Sequence, residues 1–129
     1  METKFTGYST KLFGVPTKRY CQTLDLRDDP ALIALYRRYH SEEELWPEIC
    51  DGIRRVGVLE MEIYLIGTRL FMVVETALDF DWERAFKELA GLPRQGEWEE
   101  RMSAFQVASP GAGSAEKWQL MERIFRLYG

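Results

Sequence analysis

Hydrophobic and polar residues alternate most regularly between Val58 and Ile66, where the sequence reads VLEMEIYLI. A period of two residues is typical of a β-strand, because successive side chains point to opposite faces of the sheet. One face is predicted to hold Leu59, Met61, Ile63 and Leu65. The opposite face is predicted to hold Val58, Glu60, Glu62, Tyr64 and Ile66.

Further strands are predicted around this one. Gly67-Thr68 is expected to form a hairpin turn, and the return strand runs from Arg69 to Glu75. Its apolar face matches that of the first strand and holds Leu70, Met72 and Val74. An earlier strand is predicted over residues 19–26, and a last one over residues 117–127.

Helical periodicity begins after Asp28-Asp29-Pro30, an acidic cap followed by a proline in the first turn. The apolar and aromatic positions then follow i, i+3, i+4 spacing, and they are Leu32, Ile33, Leu35, Tyr36, Tyr39 and His40. Pro47 is expected to end or kink this helix, and a second short helix is predicted from about Trp46 to Arg55.

Two more helices are predicted in the second half of the chain. The first covers residues 82–90 and is capped by Asp79 or Asp81. The second covers about residues 94–105, after Pro93. The segment 108–115, ASPGAGSA, is predicted to be a loop.

The order of these elements predicts an α+β fold of the ferredoxin-like βαββαβ type, with helices on one face of an antiparallel sheet. The other face carries Tyr64, Ile66, Phe71 and Val73 among charged residues, which is more apolar than a solvated surface requires. Dimerisation or the floor of a cavity would explain it. Residues 1–17 are interpreted as an N-terminal extension and residues 18–129 as a single domain.

Composition narrows the class of protein. The 129 residues are 46% hydrophobic and carry a net charge of -4, so one globular domain is expected and a nucleic-acid partner is not. No stretch is long and apolar enough for a membrane span, and the N-terminus has no apolar signal region. A cytoplasmic protein with free thiols at Cys21 and Cys50 is therefore expected.

The usual motifs of several enzyme classes are missing from the sequence. There is no phosphate-binding glycine loop, dinucleotide fingerprint, GxSxG motif or cysteine–histidine cluster. A single histidine without clustered partners does not favour a metal site. No metal and no cofactor are expected.

The single histidine, His40, lies four residues after Tyr36, so their side chains are neighbours on one face of the predicted helix. Histidine transfers protons readily near neutral pH, which makes His40 a candidate general acid–base residue. A packed, hydrogen-bonded core histidine is the more common situation. Trp98 is likewise either a packing residue or a flat wall for a sugar ring.

Several short motifs together resemble the L-rhamnose mutarotase family, including its L-fucose mutarotase relatives. A tyrosine four residues before a histidine is followed closely by WPE, here Tyr36, His40 and 46–48. An IY step at 63–64 precedes LFMVVE at 70–75, and a tryptophan precedes a methionine by four residues at Trp98 and Met102. The resemblance covers the chain from the first strand to the last and omits the N-terminal extension.

Two positions depart from the family pattern, and both fall where the sugar should lie. The spacing from His40 to Trp46 is longer, and a paired Trp-Trp is replaced by Trp98-Glu99. These differences leave the substrate open between L-fucose, L-rhamnose and another deoxyhexose.

The resemblance implies a homodimeric α/β barrel built from ferredoxin-like domains, and an isomerase that interconverts the α and β anomers of a free monosaccharide. It implies that His40 is the general acid that protonates the ring oxygen and that Tyr36 is a second proton-transfer or binding group. Trp98 would form an apolar wall, with Tyr64 and Trp46 as weaker candidates for lining the site.

Three other interpretations remain open on the sequence. One is a cofactor-free monooxygenase of the dimeric α/β-barrel type. Another is a sugar-binding module that holds its ligand without turnover. The third is a dimeric scaffold with a packed core histidine.

Overall fold

The structure is a computed structural model that describes residues 6–107 and 117–129. A four-stranded antiparallel sheet with strand order β2-β3-β1-β4 packs against helices on one face, which confirms the predicted ferredoxin-like class. The elements are β1 (Thr17–Asp25), α1 (Pro30–Tyr39), α2 (Pro47–Arg55), β2 (Val58–Ile66), β3 (Arg69–Ala77), α3 (Trp82–Ala90), α4 (Gln95–Ser103) and β4 (Gln119–Leu120).

The hydrophobic core lies between the helices and one face of the sheet. Alternate residues of β1 and β3 supply the sheet side, and they are Leu24, Leu70, Met72 and Val74. The helices supply Tyr36, Ile49, Trp98 and Met102 to the same cluster. The predicted inward face of β3 is therefore confirmed.

At the start of β2, a β-bulge breaks the alternation that the sequence predicts. Val58 pairs with Thr76, whereas Glu60 pairs with the preceding residue, Glu75, so the register shifts by one. The extra residue turns Val58 into the core, at 4% exposure, and leaves Leu59 37% exposed. The predicted orientations of Val58 and Leu59 are therefore wrong, because an inserted residue reverses the faces on its N-terminal side.

Helix ends follow the capping residues closely. Asp29 Oδ1 accepts hydrogen bonds from the backbone N–H groups of Ala31 and Leu32 at 3.0 and 3.3 Å, which satisfies two donors of the first turn of α1. Of the two predicted caps for α3, Asp81 is the one used. In the described part of the chain, no helix has the length and apolar character needed to cross a membrane.

Pro47 lies at the first turn of α2, where its missing N–H has no intrahelical partner to lose. The helix before it has already ended at Tyr39, with His40 as its C-terminal cap. Residues 40–46 therefore connect two separate helices rather than a kinked one. This break places His40 at a helix end that faces the body of the domain.

The predicted last strand is mostly wrong. Only Gln119–Leu120 pairs with β1, and residues 121–129 have no regular structure. The segment around Gln106 occupies the other end of this edge, where Val107 N–H donates to the Asp25 carbonyl oxygen at 2.9 Å. A short length of β1 edge is thus left for the C-terminal residues. The predicted loop at 108–115 lies outside the described residues.

The outer face of the sheet carries exposed hydrophobic side chains. Ile66 is 80% exposed and Tyr64 is 37% exposed. The ring of Tyr8, from the N-terminal segment, meets the ring of Tyr64 edge-on at 5.7 Å. The homodimer and the division into 1–17 and 18–129 stay predictions, and β1 itself begins at Thr17.

Leu70 offers a test of the core, because its side chain is 1% exposed in the centre of β3. We expect Leu70→Ala to lower the free energy of unfolding by about 3 kcal/mol, through lost apolar contact and the cavity left behind. Leu12→Ala is the matched control, since Leu12 is 93% exposed, and it should change stability by less than about 0.5 kcal/mol. Urea denaturation measures both, and equal effects would contradict the assigned core.

Candidate active site

A cavity of about 380 Å³ lies between the inner face of the sheet and the helices. This volume falls within the roughly 300–1,000 Å³ of small-molecule sites. Most of its wall is apolar, but several polar side chains enter it, including Gln22, Tyr36, His40, Glu60, Gln95, Glu99 and Gln106. A cavity of this composition suits a small ligand that has both apolar and hydroxyl-bearing faces.

Tyr36 and His40 meet inside this cavity as their spacing predicts. Their ring centroids are 4.3 Å apart, with Tyr36 in the last turns of α1 and His40 immediately after it. Tyr36 is buried at 4% exposure, whereas His40 is half-buried. The end of the helix thus carries two proton-bearing groups into one wall of the cavity.

The ring orientation of His40 is set by its own helix. Nδ1 lies 2.8 Å from the backbone carbonyl oxygen of Tyr36. A carbonyl oxygen only accepts, so Nδ1 carries the proton and donates it, and in the neutral ring the lone pair is on Nε2. Burial lowers the pKa of His40 below its usual 6.5, and this hydrogen bond offsets part of the effect. At neutral pH His40 is therefore an uncharged imidazole that can accept a proton at Nε2.

The Tyr36 hydroxyl is held in its protonated form. Burial raises its pKa far above the usual 10, a hydrogen bond with the side chain of Gln106 opposes this shift, and the negative charge of Glu99 adds to it. A protonated phenol donates a hydrogen bond but gives up its proton only at high cost. Tyr36 is thus equipped to bind and polarise an oxygen of a ligand.

Trp98 on α4 closes the cavity beside His40. The two rings meet edge to face with centroids 5.2 Å apart, and Trp98 is 7% exposed. Both residues line the cavity. The structure therefore brings together Tyr36, His40 and Trp98, three of the five residues proposed from the sequence.

Trp46 supports this group from behind. It lies edge-on to Trp98 at 5.5 Å between ring centroids, and the guanidinium of Arg94 stacks 3.5 Å from its ring centre. Trp46 does not line the cavity, whereas its neighbour Leu45 does. Its ring packs against Trp98, and its predicted role in lining the sugar site stays a prediction.

Tyr64 is not brought together with the other residues. It lies on the outer face of the sheet, where its hydroxyl donates to Glu62 at 3.2 Å and its ring meets Phe71. Because side chains alternate along β2, the neighbouring residue Ile63 points into the cavity instead. Tyr64 therefore lies outside the cavity that holds His40, and its predicted role in binding the sugar stays a prediction.

Glu99, which replaces an aromatic residue of the family pattern, does face the cavity. Its Oε2 accepts a hydrogen bond from Gln95 Nε2 at 2.8 Å. Its Oε1 lies 3.4 Å from Nζ of Lys117, whose side chain is 2% exposed. Lys117 Nζ also donates to the Glu99 carbonyl oxygen at 2.9 Å and to Ser103 Oγ at 3.1 Å. The nearly buried ammonium group of Lys117 thus compensates the charge of the Glu99 carboxylate in the cavity wall.

Among the strand carboxylates, Glu60 alone lines the cavity, whereas Glu62 and Glu75 do not. Within the described residues, no group of three or more histidine, cysteine or acidic side chains is placed to hold a metal ion.

Sequence reasoning missed several polar residues of the site. Gln95 shares one face of α4 with Trp98, Glu99 and Met102, so helical spacing could have revealed it. Gln22 lies between Tyr20 and Leu24 on the inner face of β1, which is a second available signal. Gln106 and Trp118 carry no such signal, because they reach the cavity from segments outside the regular elements.

Comparison with known proteins decides the family. A protein-family model described as L-rhamnose mutarotase matches residues 19–127. The chain belongs to the L-rhamnose mutarotase family. This confirms the resemblance drawn from the sequence motifs and makes the chain a member of a group of sugar mutarotases.

Two relatives of known sequence match the chain over most of its length. An L-fucose mutarotase of Xanthomonas campestris pv. campestris is 43% identical over 110 residues, covering 85% of this chain and 88% of that protein. A protein of Dictyostelium discoideum named UPF0734 is 35% identical over 114 residues, covering 85% of this chain and 90% of that protein.

One solved structure agrees in fold. The L-rhamnose mutarotase from Formosa agariphila superposes with a TM-score of 0.63 at 19% identity, covering 85% of this chain and 98% of that one.

The ion pair between Glu99 and Lys117 is expected to contribute to the stability of the fold. Lys117→Met should lower the free energy of unfolding by about 3 kcal/mol, because it leaves the Glu99 carboxylate without its nearly buried partner. The double variant E99Q/K117M should recover most of that loss. Urea denaturation of the single and double variants measures the coupling.

Arg54→Met provides the control, since Arg54 and Asp51 form an ion pair whose side chains are 71% and 75% exposed. It should cost less than about 1 kcal/mol. A loss for Lys117→Met as small as this, or no recovery in the double variant, would contradict the importance of the Glu99–Lys117 pair.

Proposed function

We propose that this protein is a mutarotase that interconverts the α and β anomers of a free 6-deoxyhexose, with L-fucose as the first candidate and L-rhamnose as the second. The observation that carries the proposal is the free Nε2 of a neutral His40 within a cavity that also holds Tyr36 and Trp98. The 43% identity to a protein named L-fucose mutarotase supports L-fucose.

Mutarotation requires two proton transfers and the opening and closing of the sugar ring. The proton of the anomeric hydroxyl leaves, the bond between C1 and the ring oxygen breaks, and the ring oxygen gains a proton. The open aldehyde then turns about its bond to C2, and the reverse steps close the ring on the other face of the carbonyl. Proton transfer by one positioned side chain contributes roughly 10²–10⁴-fold to such a rate.

His40 supplies both proton transfers in this scheme. Neutral His40 takes the anomeric proton at Nε2 and becomes an imidazolium, which then protonates the ring oxygen. One imidazole can serve both oxygens because both are bonded to C1. The predicted role of His40 as the general acid thus belongs to the second of these transfers.

Tyr36 and Trp98 position the sugar around His40. The protonated Tyr36 hydroxyl donates a hydrogen bond to the oxygen on which negative charge develops. Trp98 presents an apolar face to the C5-methyl group and the C–H bonds of the ring. On the polar side of the cavity, Glu99 accepts hydrogen bonds from ring hydroxyls.

Saturation-exchange NMR tests the proposed activity directly. With L-fucose or L-rhamnose at anomeric equilibrium, saturating the α-anomeric proton reports its transfer to the β form. We expect catalytic protein to raise the exchange rate above that of buffer for at least one of the two sugars, with L-fucose the faster. No acceleration across a panel of 6-deoxyhexoses and pentoses would contradict the proposal.

His40→Ala should lower the exchange rate by about 10²–10⁴-fold while sugar affinity changes only a few-fold, because it removes the proton carrier and leaves the cavity walls. Tyr39→Phe is the control, since Tyr39 is the residue next to His40 at the end of α1 but does not line the cavity. Exchange NMR gives the rate and titration calorimetry gives the affinity. If the His40→Ala variant exchanges anomers at the wild-type rate, His40 takes no part in the proton transfers.

The state of His40 also predicts a pH profile. Burial lowers its pKa below 6.5, so the neutral, proton-accepting form persists at neutral pH and is lost only on acidification. The catalysed part of kcat/KM should be level near pH 7 and should fall toward acid with a midpoint below 6.5. A rate that instead increases as pH falls through this range would mean that the protonated ring is the resting catalyst.

A further inference from the structure

Two buried polar atoms of the described side chains have no hydrogen-bond partner in the protein, Gln95 Oε1 and Gln106 Oε1. Gln95 is 4% exposed and Gln106 is 3% exposed, so bulk water does not satisfy either oxygen. Both residues line the same cavity. Buried amide oxygens are normally paired, and two exceptions at one cavity need an explanation.

The other end of each amide is already committed to a site residue. Gln95 Nε2 donates to Glu99 Oε2 at 2.8 Å. The side chain of Gln106 hydrogen-bonds the Tyr36 hydroxyl. Since Gln106 Oε1 has no partner, Nε2 is the atom that donates to this hydroxyl. Exchanging the nitrogen and oxygen of the Gln95 amide would bring two acceptors together at Glu99. In Gln106 the nitrogen meets the Tyr36 hydroxyl and the oxygen is the unpaired atom. The atom left over is therefore an acceptor in both residues.

These oxygens differ in where they would meet a ligand. Gln95 lies three residues before Trp98 on α4, so its amide belongs to the side of the cavity where a sugar ring would rest on the indole. Gln106 is linked to Tyr36, so its amide belongs to the side of the proton-transfer groups. The terminal torsion of glutamine has a broad profile, which lets each oxygen turn toward a donor.

We infer that Gln95 and Gln106 are specificity-determining residues whose amide oxygens each accept a hydrogen bond from a different hydroxyl group of the bound monosaccharide. The inference rests on the proposed function, because it takes the ligand to be a sugar in this cavity. An acceptor left unpaired when a hydroxyl is missing penalises the wrong ligand more strongly than an apolar wall can. The pair would thus select among sugars that differ in their hydroxyl groups.

Binding of 1,5-anhydro-L-fucitol tests the inference without turnover, because this sugar lacks the anomeric hydroxyl and cannot mutarotate. We expect Gln95→Met and Gln106→Met each to weaken its binding by about three- to tenfold in titration calorimetry, the range of one lost hydrogen bond. Gln119→Met is the control on β4, outside the cavity, and should bind as wild type does. Circular dichroism checks that each variant is folded.

Monodeoxy derivatives of the same anhydro sugar then identify the paired hydroxyls. Wild type should lose affinity for the derivative that lacks the hydroxyl facing Gln95, while Gln95→Met should no longer distinguish it from the parent sugar. Gln106→Met should show the same insensitivity at a different hydroxyl. This coupling separates recognition from an indirect effect through Glu99 or Tyr36, which would weaken every derivative alike.

An equal loss for all derivatives, or wild-type affinity in both methionine variants, would overturn the inference. Neither result bears on anomer exchange, which the saturation-exchange experiment measures separately. If the protein shows this coupling but does not accelerate anomer exchange, the inference about the two acceptors stands and the proposed catalytic function is contradicted.

Discussion

The hydrogen bond from His40 Nδ1 to the Tyr36 carbonyl oxygen is the contact on which the site depends. It exists because α1 ends at Tyr39, which leaves carbonyl groups of the last turn without helical partners. One of these carbonyls holds the imidazole and selects its tautomer. A helix that continued through Pro47 would have used that carbonyl internally, and Nε2 would not be presented in the same way.

Burial shifts the pKa values of Tyr36 and His40 in opposite directions. The same desolvation lowers the pKa of His40 and raises that of Tyr36, so both are uncharged at neutral pH. One of them has a lone pair to accept a proton and the other has a proton to share. The apolar wall around them therefore sets the protonation states of both groups as well as stabilising the fold.

Polar groups elsewhere in the wall are organised around Glu99. Its carboxylate is held by Lys117 and Gln95, and its charge reaches Tyr36. The carboxylate gives this side of the cavity hydrogen-bond acceptors, and Lys117 compensates its charge at low exposure.

Local signals in the sequence determined much of the protein. Period-two alternation predicted the strands, and the capping residues Asp29 and Asp81 predicted the starts of two helices. The spacing of Tyr36 and His40 predicted that their rings meet, because all these signals act over a few residues. Tertiary structure alone decided the bulge at Val58, the short β4 and the exclusion of Tyr64 from the cavity. It also decided that Gln106 and Lys117 meet Tyr36 and Glu99. These contacts join residues far apart in the chain, and no periodicity within one element records which distant segment will pack against it.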